Sequence, residues 1–186
     1  MEPKLFSKKQ TAQHFERLAA ETEKQVYAVC CHMMGGREDA LDCAQETMLR
    51  AFRAFDSFRR DAAFSTWITR IAINVCTDAL RRKRDTLSLD ALADEQGVQI
   101  PDAAPTAYAR LEEKERMRLL KEGLAALPPE WRQMIVLRDM RGMDYQQIAQ
   151  VLQLPLGTVK SRISRAREKL CEILKQSSEL FSSPSV

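Results

Sequence analysis

Residues 144–170, DYQQIAQVLQLPLGTVKSRISRAREKL, leave the chain few ways to fold. Ile148, Ala149 and Leu152 form an apolar stripe on one helix. Val159, Ile163, Ala166 and Leu170 recur at three- and four-residue steps on a second. Between them LQLPLGT holds Pro155 and Gly157, which break the chain there. Gly157 is expected to give a tight entry to the second helix, with Thr158 as an alternative N-cap. Lys160, Arg162, Arg165, Arg167 and Lys169 fall off the apolar stripe. A short helix, a turn and a second helix with outward cations is the pattern of a DNA-reading helix-turn-helix. An ordinary amphipathic helix with a solvated basic face has the same pattern, and this stretch alone does not separate the two.

A chain of 186 residues suits one or two small domains. Its 45% apolar and 30% charged residues, with six Gly and seven Pro, favour helices over a turn-rich β fold. The net charge of +3 does not require a nucleic-acid partner, so the distribution of charge carries the argument. Residues 1–9 contain no apolar core of a signal peptide. No apolar run approaches the roughly 18 residues that would span a bilayer. A soluble, cytoplasmic protein is expected. Cys30, Cys31, Cys43, Cys76 and Cys171 make an odd count without a paired CxxC, which predicts reduced thiols and not a disulfide framework. Cys30, Cys31 and His32 are adjacent, but neighbours on a helix point about 100° apart and do not converge on one metal ion. No metal or other cofactor is expected.

In chain order, a first helix runs from a Ser7 cap to about Met34, with Phe15, Leu18, Thr22, Val26, Val29 and Met33 as its inner stripe. Gly35-Gly36 ends it. A second helix spans about 37–55, with Leu41, Ala44, Met48, Phe52 and Phe55 expected inside. Asp39, Asp42, Gln45 and Glu46 fall on its other faces. Acids there suit the helix dipole, or they form a protein-docking face; the pattern leaves both open. Ser65 or Thr66 is expected to open a third helix through about Arg84, with Phe64, Ile68, Ile71, Ala72, Val75 and Ala79 inside. That helix ends in four consecutive cations, Arg81 to Arg84, beside Trp67 and Asn74, which are expected to be exposed. Basic charge interleaved with aromatics is the footprint of unpaired nucleic acid.

Residues 85–105 then carry five acids and no Lys or Arg, with Gly97, Pro101 and Pro105, and read as an extended acidic linker. A second helical domain is expected over 106–175, and the Ser-rich 176–186 is expected to be a frayed, disordered tail. In that domain Pro129 suits the first turn of a helix running from Glu130 to Arg141, with Met134, Ile135, Val136 and Leu137 inside. The expected fold class is all-α: two small helical domains joined by a flexible acidic linker, the second containing the helix-turn-helix.

Four stretches in this order carry a family resemblance: DALDCAQETMLRAFRAFDSFR (39–59), FSTWITRIAINVCTDALRRKR (64–84), LPPEWRQMIVLRDMRGMDYQQIA (127–149) and LPLGTVKSRISRAREKL (154–170). Together they resemble bacterial RNA polymerase sigma factors of the sigma-70 family. The two-domain layout resembles the extracytoplasmic-function (ECF) group. The resemblance implies a region 2-like domain over 7–84 and a region 4-like domain over 106–175. It implies docking on core RNA polymerase through Asp39, Asp42, Gln45 and Glu46. It implies contact with the melted −10 promoter element through Phe58, Arg59, Arg60, Trp67, Arg70, Asn74, Asp78, Arg81 and Arg82. Thr158, Lys160, Ser161, Arg162, Arg165 and Arg167 would read the −35 element as duplex. The family also implies an anti-sigma factor as a partner. Cys43 and Ala44 stand where bulkier aliphatics are common in the family.

The runner-up is a free-standing helix-turn-helix repressor or activator, which would have no use for the 39–84 block. An enzyme is disfavoured: His14 and His32 are the two histidines, neither has a partner set, and no Gly-rich phosphate loop, HExxH or nucleophile motif is present.

Overall fold

The computed structural model describes residues 8–58, 63–87 and 107–182. Every element among them is helical. Helix α1 spans Lys8–Met34, α2 Arg37–Ala54 and α3 Phe64–Leu87, with a 3-10 turn at Phe55–Ser57 between α2 and α3. Helix α4 spans Ala107–Ala126. Helix α5, Pro129–Ile135, runs into a π-helical segment at Val136–Met140. Helices α6, Tyr145–Leu152, and α7, Leu156–Ser182, complete the chain. Helices α1, α2 and α3 pack on one another, and α4, α5 and α6 each pack on α7. The two groups also touch: α6 lies on α3, and α4 and α5 lie on α1.

The core of the first group follows the apolar spacing of α1 and α3. Phe15, Val26, Val29 and Met33 are buried from α1; Phe64, Ile68, Ala72 and Val75 are buried from α3. Thr22 joins them because its hydroxyl donates to the Leu18 carbonyl at 2.9 Å, so no polar group is left bare. Gln25 donates to the Thr69 hydroxyl at 3.0 Å and ties α1 to α3. Gly35 adopts φ +79, which ends α1, and its amide donates to the Cys31 carbonyl at 3.0 Å.

Helix α2 corrects the expected stripe. Its buried residues are Ala40, Cys43, Thr47 and Ala51, all small. Leu41 is 41% exposed, Leu49 51% and Phe52 53%. Small side chains let α2 approach α1 and α3 closely, which turns the larger residues outward. Phe55, just beyond α2, is buried as expected.

Other boundaries shift. Helix α3 starts at Phe64, ahead of the expected caps at Ser65 or Thr66, and the Ala63 carbonyl accepts the amides of Thr66 and Trp67. Asp85–Leu87, read as the start of the linker, continue α3, while 88–105 lie outside the described residues. Helix α5 begins at Pro129, as its fixed φ favours. The expected helix to Arg141 becomes π-helical from Val136. Helix α7 continues through Ser182, well into the stretch expected to fray.

Cys30, Cys43 and Cys76 are buried thiols, Cys31 is half-buried and Cys171 is exposed. Contact with Cys30 and Cys43, together with burial, pushes the Cys76 thiol far up. His32 diverges from Cys30 and faces a small space lined by Leu124, Ala125, Arg132 and Met140 of the second group. Its buried Nδ1 has no hydrogen-bond partner. Burial, then the nearby Arg141 and Lys121, hold its pKa below the ordinary 6.5. The folded state therefore binds its proton less readily than the unfolded chain. Stability is fully present above about pH 6.5 and falls as the pH drops through the lowered value. Melting followed by circular dichroism from about pH 7 to 5 should show Tm falling, and His32→Gln should flatten part of that slope.

Candidate nucleic-acid interface

Trp67, Arg70, Asn74, Asp78 and Arg81 succeed one another at three- and four-residue steps, which places them along one face of α3. Asn74, Asp78, Arg81 and Arg82 are exposed and Arg70 is half-buried. Trp67 is half-buried, against the expectation of an exposed ring. Its indole sits 5.1 Å from the Phe58 ring and 5.5 Å from the Phe64 ring, centroid to centroid. Phe58 in turn lies 5.5 Å from Phe64 and 6.1 Å from Phe55. An aromatic wall thus joins the end of α2 to the start of α3 and fixes the base of the α3 face. Arg59 and Arg60 lie outside the described residues.

Asp78, Arg81 and Arg82 are already engaged within the protein. Asp78 pairs with Arg50 of α2 at 3.5 Å, Arg81 pairs with Glu130 of α5 at 3.4 Å, and the Arg82 Nε donates to the Asp78 carbonyl. These are exposed pairs, worth about 0–1 kcal/mol each, and a phosphate can displace them.

The helix-turn-helix is built from local signals. Asp144 caps α6 by accepting the Gln147 amide at 2.8 Å, and the Gln147 side chain accepts the Asp144 amide at 2.9 Å. The Arg138 guanidinium stacks over the Tyr145 ring at 4.8 Å and donates to the Met143 carbonyl, which fixes the approach to α6. Gln153 takes the left-handed conformation, φ +53, and ends α6. Gly157 does not make the turn: it lies in the first turn of α7 with open space around it. Thr158 is likewise inside α7, which starts at Leu156, so it is not the N-cap.

Val159, Ile163 and Ala166 are buried and define the inner side of α7. At about 100° per residue, Ser161, Ser164 and Arg165 point away from that side, Lys160 and Arg167 lie on one border, and Thr158 and Arg162 lie on the other. Arg165, Ser161 and Lys160 are exposed, and Arg162 is half-buried. Arg167 forms a two-point ion pair with Asp139 of the π-helical segment, one contact at 3.1 Å, and Asp139 raises its pKa. That pairing makes Arg167 a clasp between α7 and the π-helical segment that follows α5.

On α2, Asp42 and Gln45 are exposed. Glu46 pairs with Arg50 at 2.7 Å, and this hydrogen bond holds its carboxyl below the usual range. Asp39 pairs with Lys83. Beside these acids runs an open groove of about 940 Å³, lined by residues that include Phe15, Tyr27, Leu41, Met48, Leu49 and Phe52. The apolar part of this surface was missed because Leu41, Met48 and Phe52 were expected to face the core, and Tyr27 and Leu49 were assigned to no face. Leu49 and Phe52, three residues apart and so neighbours on one helix face, alongside the small-residue row, are the signal that could have found it.

Residues 18–86 match sigma-70 region 2, and residues 117–170 match sigma-70 region 4. The chain is 33% identical over 166 residues to the ECF RNA polymerase sigma factor SigE of Mycolicibacterium smegmatis, a match covering 89% of this chain and 63% of SigE. The chain thus spans less than two thirds of SigE. It is 34% identical over 156 residues to the ECF sigma factor SigW of Bacillus subtilis, covering 81% of this chain and 83% of SigW. Among solved structures, the sigma factor RpoE in complex with the anti-sigma factor NepR from Bartonella quintana shares the fold. Its TM-score is 0.70 at 24% identity, over 88% of this chain and 98% of RpoE. With regions 2 and 4 in order and a relative above 30% identity matched over most of both lengths, the chain belongs to the ECF group of the sigma-70 family, transcription-initiation factors that are not enzymes.

Proposed function

We propose that this protein binds core RNA polymerase through α2 and directs it to one class of promoters. In this reading α3 and the loop before it take unpaired −10 DNA, and α7 reads the −35 element as duplex. The division of labour follows the expected domains, 7–84 and 106–175, with α3 running on to Leu87 and α7 to Ser182. The observation that carries the reading is the presence, in one chain, of two different surfaces whose chemistry suits nucleic acid. One is walled by aromatics and suits splayed bases; the other is a capped helix-turn-helix with Ser161 and Arg165 outermost. A free-standing repressor needs only the second.

The acids of α2 beside the exposed Leu41, Leu49 and Phe52 give a docking face with an apolar centre and a polar rim. Glu46→Lys should weaken assembly with core polymerase by about tenfold, about 1.4 kcal/mol, while leaving the helical circular dichroism intact. A native gel of polymerase with wild-type and variant protein reads this directly. Failure of the wild type to assemble, together with tight binding of the isolated protein to a palindromic duplex, would favour the repressor reading.

Control by an anti-sigma factor belongs to the same proposal. It is supported by the family and by the solved RpoE–NepR complex. Action on the polymerase places the protein in the cytoplasm, and no described helix is long and apolar enough to cross a membrane.

A further inference from the structure

Arg167 and Asp139 meet through two hydrogen bonds, Nε to one carboxylate oxygen at 3.1 Å and Nη2 to the other. Both side chains are exposed. Asp139 belongs to the π-helical segment Val136–Met140, where the Arg141 amide donates to the Val136 carbonyl at 2.9 Å. Such a turn holds one residue more than an α-helical turn, so it sets the direction in which Asp139 points. Val136 and Leu137 are buried and anchor the segment.

Lys160 lies on the same border of α7 as Arg167, two turns nearer the helix start, and is exposed. A helix seated in the major groove turns its outermost side to base edges and its borders to the phosphate backbones. Helix α7 starts at Leu156, so Arg167 stands about 16 Å along its axis at about 1.5 Å per residue. The groove is about 12 Å wide. A cation at that place meets phosphates and not bases. Arg167 is thus placed for the DNA backbone but held within the protein.

The pair resists displacement. Each of its hydrogen bonds joins two charged groups, the strong kind. A phosphate that drew Arg167 away would also leave the Asp139 carboxylate bare beside the DNA, where like charges repel. The pairs Arg81–Glu130 and Arg50–Asp78 on the α3 face are single contacts at 3.4 and 3.5 Å and yield more readily.

We propose that Asp139 withholds Arg167 from the DNA backbone, so that the hold of α7 on duplex leans less on phosphates and more on base edges. The inference rests on the duplex reading by α7 proposed above and deepens it. Asp139 is a positioning residue that acts through Arg167. Phosphate contacts carry no sequence information, so the pair limits how firmly the protein sits on DNA of any sequence.

Binding of the free, full-length protein to a duplex of random sequence, followed by fluorescence anisotropy from about 50 to 200 mM salt, tests this. Asp139→Asn should bind about threefold to tenfold more tightly than wild type at the low-salt end. Its log–log salt dependence should be steeper by about 0.9, the mark of one added phosphate contact. Asp139→Asn combined with Arg167→Gln carries the wild-type net charge and should return to the wild-type affinity and slope. The Arg167 Nε–H resonance reads the release directly: duplex should shift it in Asp139→Asn and leave it in place in the wild type. The wild-type arm needs no variant to fold. Lys160→Gln should weaken binding and make the slope shallower by about 0.9. If Lys160→Gln changes nothing, α7 does not meet duplex, and the promoter reading of α7 fails along with the proposal. If Lys160→Gln weakens binding but Asp139→Asn does not tighten it, the proposal alone is overturned. A wild-type Arg167 resonance that moves with duplex overturns it equally.

Discussion

Trp67→Ala should lower transcription from a fully duplex promoter by on the order of tenfold to a hundredfold, and a pre-melted promoter fork should recover part of the loss. Stacking of an unpaired base on an aromatic ring contributes about 1–3 kcal/mol. Trp67 stands at the start of the α3 face, held between Phe58 at 5.1 Å and Phe64 at 5.5 Å. Those rings limit its rotation, so little side-chain freedom is lost when a base arrives. Truncation to alanine has a second effect, because it opens a gap in the aromatic wall. Two controls separate the effects. Trp67→Phe retains a ring in the wall and should behave between wild type and alanine. The fork removes the work of strand separation, so it rescues a defect in base capture and not a defect in domain packing. Absence of any rescue would assign the loss to packing.

Arg165→Ala should weaken recognition of the −35 element by about 1–3 kcal/mol, with the loss concentrated at particular base pairs. Arg165 is exposed on the side of α7 opposite Val159, Ile163 and Ala166, beside Ser161 and Ser164. A guanidinium there reaches base edges when α7 enters the major groove. Arg162 lies half-buried on the border, so its alanine variant should show a smaller, more uniform loss. Arg167 is held by Asp139, and its loss should appear first in thermal stability. Binding of holoenzyme to a panel of −35 variants distinguishes these outcomes. A uniform loss for Arg165→Ala across the panel would make it a phosphate contact and reject base readout.

Much of this architecture is legible in the residue order. The stripes of α1 and α3, the Gly35 stop, Pro129 at the head of α5 and the apolar repeat of α7 each follow from periodicity and backbone preference. Helix α2 shows where that reasoning stops. Two apolar rows run along it, one small and one large, and hydrophobicity favours the large one while close helix packing selects Ala40, Cys43, Thr47 and Ala51. Gln153 escaped notice because Pro155 and Gly157 are stronger turn signals, yet Gln153 takes the left-handed conformation. The pairing of Arg167 with Asp139 and the reach of Arg132 to Met33 join residues far apart in the chain. The partners of Arg132 are backbone carbonyls, which every residue possesses, so no side-chain pattern marks them. The α3 face was found as a set because its spacing is helical, but the partial burial of Trp67 depends on Phe58, just after the 3-10 turn, and Phe64 of α3 closing on its ring.

The central claim is that one chain gives core polymerase two separate DNA readers. Run-off transcription with core polymerase on a genomic library, with start sites mapped, tests it most directly. The account predicts a limited set of starts, each preceded by both a shared −35 and a shared −10 sequence at near-constant spacing. Starts no different from those of core polymerase alone, or starts sharing one of the two sequences only, would contradict it.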